Sequence, residues 1–230
     1  GANLYKRMKD RVKQAGETLA EAPSPRERKQ GITLGGQRAR ADRLFFLGPG
    51  SITLGEGRSL SFPELVITPE DRIALTGPNG SGKSTLIRHI LPGISPPILY
   101  VPQEIGPDES RGILDAVLQE EEPVRGEVFS RFSRLGSDPR FLFRSALPSP
   151  GEIRKLMIAR GIFHEPALVI MDEPTNHLDL VSIGLLETAL AGYSGALLLV
   201  SHDERFLSRL TGKRWTIRRQ GQDSSLRIMN

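Results

Sequence analysis

The chain of 230 residues contains no cysteine. Neither a disulfide framework nor a cysteine–zinc site is open to it, and a reducing, cytoplasmic setting is the expectation. Long apolar runs are missing too. Stretches such as "ALLLV" at 196–200 fall far short of the roughly 20 residues that a membrane span needs. There is no secretory signal, and the opening Gly1-Ala2 reads as a cloning remnant rather than a native start. Internal repeats and low-complexity segments are absent as well. What is there is 38% hydrophobic, enough to bury a full core as one domain, or one domain with a small insert.

The net charge of +4 is unevenly placed. Residues 1–43 hold 11 Lys and Arg against 5 Asp and Glu, and the remainder holds 20 against 22. A second basic cluster runs through Arg205, Arg209, Lys213, Arg214, Arg218 and Arg219. Basic arms suit phosphate backbones. A linker or a solvated helix face has the same composition, so charge alone leaves both readings open.

Residues 3–21 predict a charged helix with little apolar face, broken by the two prolines of "APSPRERKQG" at 22–31. Residues 1–43 therefore read as a basic linker or helical arm entering a domain at 44–230. "RADRLFFL" and "SLSFPELVI" carry strand-like apolar content, separated by the glycine-rich "GPGSITLGEG". "RIALT" (72–76) and "ILYV" (98–101) read as buried strands, with a helix between them ending near Pro92-Gly93. From about 108 the pattern turns helical, through "RGILDAVLQ" and "RGEVFSRFSRL", which predicts a helical subdomain over about 108–163. Alternation then resumes: a helix over 150–163, the strand "ALVIM", a helix over 181–191, the strand "ALLLV", a helix from about 204, and strands near 214–218 and 225–229. The expected architecture is α/β, with a mostly parallel core sheet covered on both faces.

"GPNGSGKST" (77–85) fits G-x-x-x-x-G-K-[ST] between a strand and a helix. Its glycines let backbone N–H groups turn towards phosphate oxygens. Lys83 is placed for the β- and γ-phosphates and the Ser84 hydroxyl for Mg²⁺. The chain is thus expected to bind a nucleoside triphosphate. "ALVIMDEP" (167–174) supplies the acidic strand end. There Asp172 would hold Mg²⁺ through water, and Glu173 would orient or deprotonate the attacking water. Gln103, just after "ILYVP", is a candidate for Mg²⁺ and that water; His202, after "ALLLVS", is a candidate for the γ-phosphate.

A second anion-binding feature sits at "ALPSPGEIRKLMIARG" (146–161). Ser149 occupies an N-cap position, Pro150 the first helical position, and Glu152 the first turn. A helix start of this kind attracts anions, although the chain already has a phosphate loop.

Taken in order, these motifs resemble the nucleotide-binding domain of ABC ATPases over about residues 45–218. The resemblance assigns Gly77, Asn79, Gly80, Ser81, Gly82, Lys83, Ser84 and Thr85 to the Walker A loop, and Gln103 to the Q-loop. It assigns Ser149, Gly151 and Glu152 to the signature motif, Asp172 and Glu173 to Walker B, and His202 to the switch position. "EPTNHLD" (173–179), with Asp179 at the D-loop position, is wording typical of the ABC-F class. The fold so implied is a P-loop NTPase with an N-terminal antiparallel β part and an inserted helical subdomain.

The resemblance implies ATP and Mg²⁺ as cofactors and catalytic roles for Glu173, His202 and Gln103. Ser84, Gln103 and Asp172 would lie around the metal. It also implies head-to-tail closure with a second ABC ATPase domain, in which Ser149 meets the partner's γ-phosphate. That partner would be the missing half of a longer chain or a second copy. The class acts on ribosomes as translation factors or as antibiotic-resistance factors, and ribosomal RNA is the partner expected for the basic arm. A subunit energising a membrane ABC transporter is the alternative; "TNHLD" and the basic lead-in argue against it. Split ATPases with long coiled coils need more than the 45 residues between Gln103 and Ser149.

Two departures stand out. Pro148-Ser149-Pro150-Gly151 replaces the family's Leu-Ser-Gly-Gly. The aromatic that usually stacks on adenine is also missing: "SITLGEG" offers Leu54 or nothing, with Phe45 and Phe46 as alternatives that serve equally well as core.

Overall fold

The computed structural model describes residues 42–94, 97–143 and 148–229. The expected arm helix over 3–21 and the proline-rich 22–31 lie outside the described residues. Within them the chain forms two compact units, one running to Glu104 and resuming at Gly161, the other Ile105–Arg160.

The first unit is built on a sheet. Its strands are β1 (Phe45–Leu47), β2 (Gly50–Gly55), β3 (Arg58–Phe62), β4 (Leu65–Ile67), β5 (Arg72–Thr76), β6 (Ile98–Val101), β7 (Leu168–Asp172), β8 (Ala196–Val200), β9 (Lys213–Gln220) and β10 (Asp223–Met229). Eight of them join in the order β2-β3-β10-β9-β5-β8-β7-β6, while β1 and β4 form a separate antiparallel pair. Strands β5, β8, β7 and β6 run parallel. Every residue of β7 and β8 is buried, as expected of unbroken apolar strands covered on both faces. The helices of this unit are α1 (Lys83–Ile90), α5 (Leu180–Ala191) and α6 (Glu204–Leu210). A shared core includes Leu60, Ile73, Leu75, Leu86, Leu198 and Trp215.

Two sequence expectations change here. "GPGSITLGEG" does more than separate strands, because most of it is β2, hairpinned to β3. Ile52 and Leu54 alternate with exposed Ser51 and Thr53 and pack on the core, which is the period-two pattern of a half-buried strand. The turn itself is Gly55-Glu56-Gly57, with φ of 90°, 54° and 70°. "SLSFPELVI" is two strands, since Pro63 has no N–H to continue the ladder. The antiparallel part also draws on both ends of the described chain: β10 pairs with β9 antiparallel and with β3 parallel.

The second unit holds α2 (Pro107–Gln119), α3 (Glu122–Arg134) and the greater part of α4 (Pro150–Phe163). Leu114, Val117, Val128, Phe129 and Phe132 are buried on the first two. The Arg125 guanidinium donates to Leu118 O at 3.3 Å and Glu120 O at 3.1 Å, satisfying carbonyls that the end of α2 leaves open. Arg160 of α4 pairs with Glu120 at 2.8 Å.

Candidate functional site

Because β5 to β8 are parallel, their carboxyl ends share one edge, where open α/β sheets place ligands. Residues 77–82 follow β5 and lead straight into α1. Gly77, Gly80 and Gly82 have φ of 152°, 70° and 102°, and the last two lie where only glycine is at ease. A Cβ on Gly77 would come within 2.7 Å of Ile217 O, and one on Gly82 within 2.6 Å of Leu54 Cδ2. Lys83, the first residue of α1, folds back over the loop and donates to Gly77 O at 2.8 Å and Pro78 O at 3.1 Å. Burial pulls its ammonium pKa below the usual value, against the opposing pull of Glu173 and Asp172.

Beside the loop, the Ser84 hydroxyl donates to Asp172 Oδ2 at 2.6 Å. Asp172 ends β7 and is 2% exposed. Glu173 follows with φ +50°, a left-handed backbone that costs a non-glycine residue about 1–3 kcal/mol and that concentrates at functional sites. Its N–H donates to Val200 O at 2.8 Å. Burial raises the Glu173 carboxyl pKa; His202 and Lys83 oppose the rise and Asp172 adds to it. His202, two residues beyond β8, has Nε2 at 3.0 Å from Asn79 Oδ1 and 3.4 Å from Glu173 Oε1. A proton on Nε2 makes the ring the donor, since an amide oxygen only accepts.

These groups line one cavity of about 650 Å³. Of the sequence-predicted residues, Asn79, Gly80, Gly82, Lys83, Ser84, Thr85, Gln103, Asp172, Glu173 and His202 are on its wall. Gly77 and Ser81 are not on it. Gly77 offers its carbonyl to Lys83. The Ser81 hydroxyl is buried without a hydrogen-bond partner among the described residues. Asp179 is also off the wall; it caps α5, accepting from Ser182 N at 2.8 Å.

The signature candidates belong to the helical unit. Ser149 Oγ accepts from Glu152 N at 3.2 Å and so caps α4, while Gly151 is buried. Glu152 Oε1 accepts from Ser137 Oγ at 3.0 Å, and the same hydroxyl accepts from Lys155 Nζ at 3.0 Å.

The wall also carries Thr175, Asn176, Ser201 and Asp203, together with Leu54 and Arg58. The first four flank the predicted acids and histidine in sequence, and adjacency alone points to them. Nothing in the sequence marks Arg58. Phe45 is core and Phe46 is exposed beneath the Arg43 guanidinium; neither reaches the cavity.

No family model matches the chain. The chain is 33% identical over 225 residues to the tylosin resistance ATP-binding protein TlrC of Streptomyces fradiae, a match covering 87% of this chain and 41% of that protein. It is 34% identical over 203 residues to the ribosome protection protein VmlR of Bacillus subtilis, covering 79% of this chain and 36% of VmlR. The chain thus spans well under half of each of these relatives. Among solved structures, a chain from an inward-facing conformation of a metal-chelate type ABC transporter superposes with a TM-score of 0.62 at 20% identity, covering 82% of this chain and 83% of that one. At that identity the likeness is one of fold.

Proposed function

The chain belongs to the ABC ATPases of the ABC-F class, and on that footing we propose that it binds and hydrolyses ATP in the cavity beside Lys83, with closure onto a second ABC ATPase domain coupled to the ribosome. One observation carries the chemical part. The carboxyl ends of four parallel strands converge on a single cavity, bringing Lys83, the Ser84–Asp172 pair, Gln103, Glu173 and His202 together.

The donor set fits Mg²⁺. Ser84 and Asp172 offer two adjacent oxygens at 2.6 Å, and the described residues contain no cluster of three or more His, Asp or Glu side chains that would form a closed cage. A magnesium ion that keeps its waters and takes phosphate oxygens needs no more than this. Ser84, with Asp172 and Gln103 acting through water, would hold the ion, which supplies neutralisation of phosphate charge. Lys83 binds the β- and γ-phosphates. Glu173, its pKa raised by burial, accepts the proton of the water that attacks the γ-phosphorus, and His202 donates to a γ-phosphate oxygen. Gly77, whose carbonyl accepts from Lys83, and the buried Ser81 hold the loop in shape. Ser149, Gly151 and Glu152 at the start of α4, with Asp179, serve the nucleotide of the second domain. The helix N-terminus and the Ser149 hydroxyl stabilise negative charge there.

TlrC and VmlR are named for tylosin resistance and ribosome protection, which favours an antibiotic-resistance role over a general translation role. Among the described residues no helix is long and apolar enough to cross a membrane. The proposed setting is the cytoplasm.

Sedimentation velocity of Glu173→Gln with and without Mg-ATP, followed by ribosome pelleting, tests the proposal. An ATP-dependent dimer that pellets with ribosomes supports it. A variant that binds ATP yet never pairs makes the missing half of a longer chain the partner, and a full-length Glu173→Gln that binds ATP and does not pellet with ribosomes overturns the coupling. Replacing Lys6, Arg7, Lys9, Arg11 and Lys13 by Gln should weaken pelleting and flatten its salt dependence; no change removes the RNA role of the arm.

A further inference from the structure

We propose that Asn79 is a site of spontaneous deamidation, assisted by His202, and that the change disables the loop in which it lies. The effect on binding rests on the cavity being a nucleoside triphosphate site; the chemistry at Asn79 does not.

Deamidation through a cyclic imide needs a polarised side-chain amide, a following backbone nitrogen able to attack it, and room for the ring. Of the four asparagines in the chain, Asn79 is the one followed by glycine. Asn79 and Gly80 are exposed, at the middle of a turn that Ser81 N closes by donating to Pro78 O at 3.2 Å. The Gly80 N–H donates to no acceptor among the described residues. A Cβ at Gly80 would meet no atom within 4 Å, so the approach to its nitrogen is open. Asn176, on the same cavity wall, precedes His177, whose Cβ crowds the corresponding nitrogen.

The amide itself is held by His202. Its Nε2 lies 3.0 Å from Asn79 Oδ1, with Glu173 Oε1 farther away at 3.4 Å. A proton on Nε2 is donated to the amide oxygen. The imidazole thus stands where negative charge collects during attack, the place that oxyanion donors take in acyl transfer.

Hydroxide removes the Gly80 N–H proton, the nitrogen forms a bond to Asn79 Cγ, and the carbonyl π electrons move onto Oδ1 opposite His202. When the carbonyl re-forms, the Cγ–Nδ2 bond breaks. The amide nitrogen leaves as ammonia, taking a proton from water and regenerating hydroxide. Water then opens the imide at either carbonyl, which leaves aspartate or isoaspartate at position 79. Either product puts a carboxylate in a loop that receives phosphate, where like charges repel. That carboxylate also binds the imidazole more strongly than an amide does, which draws His202 off the γ-phosphate. A bound nucleotide occupies the N–H groups of the loop, so the empty protein ages and the loaded one is protected.

The test follows the tryptic peptide 73–83, which carries Asn79 alone among the asparagines, by mass spectrometry and isoaspartate methyltransferase labelling. In the wild type at mildly alkaline pH this peptide should gain about 1 Da, while Asn176 stays intact. ADP at about ten times its Kd should slow the gain roughly tenfold, since only the unoccupied fraction reacts. His202→Ala should slow it about fivefold, the worth of one exposed hydrogen bond, and His202→Gln, which keeps an N–H donor, should recover part of the rate. Should His202→Ala fail to fold, His202→Phe takes its place. Asn79→Asp should weaken ADP binding about tenfold. No gain in the folded chain, over a time in which the urea-unfolded chain acquires it, overturns the site. An equal or faster rate in His202→Ala overturns the assistance. A gain that ADP does not slow supports the modification site and counts against the nucleotide site instead.

Discussion

Gly161, near the end of α4, lies against Leu99 of β6. A Cβ added at 161 would sit 2.3 Å from Leu99 Cδ1 and 2.9 Å from both Cδ2 and Cγ. Because Cγ is among the clashing atoms, rotating the terminal methyls gives no relief. Leu99 is 5% exposed, so its whole side chain must move within a packed interior. Overpacking of this kind costs about 1–3 kcal/mol. Alanine in place of glycine returns at most about 1 kcal/mol of helix propensity. Gly161→Ala should therefore destabilise the protein by about 1–2 kcal/mol. The sign should reverse once the clash is removed. Leu99→Ala alone costs about 2–5 kcal/mol, but in that background Gly161→Ala meets empty space and should stabilise by up to about 1 kcal/mol. Urea unfolding of the four proteins, followed by the fluorescence of Trp215, the single tryptophan and fully buried, reads the cycle directly. The reasoning fails if Gly161→Ala has the same effect in both backgrounds, or stabilises the wild type.

Arg72 at the start of β5 donates to Leu190 O at 3.0 Å, Leu210 O at 3.4 Å and Tyr193 O. Arg72→Met, which strands these carbonyls, should cost roughly 2 kcal/mol; an unchanged urea midpoint would count against the brace. Tyr193 donates its hydroxyl to Pro166 O, and burial raises its pKa above the ordinary 10.0. A raised folded pKa means stability that is whole below pH 10 and declines above it, as the unfolded tyrosine ionises first. Tyr193→Phe should therefore be less stable at neutral pH but lose less between pH 10 and 12, and parallel pH profiles would refute this. The raised carboxyl of Glu173 likewise disfavours the folded state once pH passes the ordinary 4.5. Glu173→Gln should accordingly melt above the wild type at pH 8 and lose that advantage near pH 4, which thermal melts at both values would check.

Much of the site was legible because its rules are local. The spacing from Gly77 to Thr85, the apolar run ending in Asp172-Glu173 and a polar residue just after a buried strand each mark candidates within a few residues of chain, and most of those candidates share one cavity wall. Helix α4 begins at Pro150, as the sequence predicts, because an N-cap hydroxyl and a first-turn proline act on their own backbone. The strand in "GPGSITLGEG" was harder to see. Its glycines read as loop, and only packing of Ile52 and Leu54 on the core makes β2.

By itself the sequence determined the α/β class, the glycine-rich loop between a strand and a helix with Lys83 and Ser84 at its end, and the strand ends carrying Gln103, Asp172, Glu173 and His202. These follow from periodicity and motif spacing, which need no knowledge of what lies far along the chain. The tertiary structure decided the rest: that Phe45 is core and Phe46 is not, that β9 and β10 enter the sheet beside β5 and β3, and that Leu54 and Arg58 stand on the cavity wall. The hairpin bearing those two is tied to β10 by Asp223, which accepts from Ser59 N at 3.0 Å and Ser59 Oγ at 2.8 Å across 164 positions of sequence. Contacts of that reach depend on where the whole sheet puts its strands, and no local pattern records them.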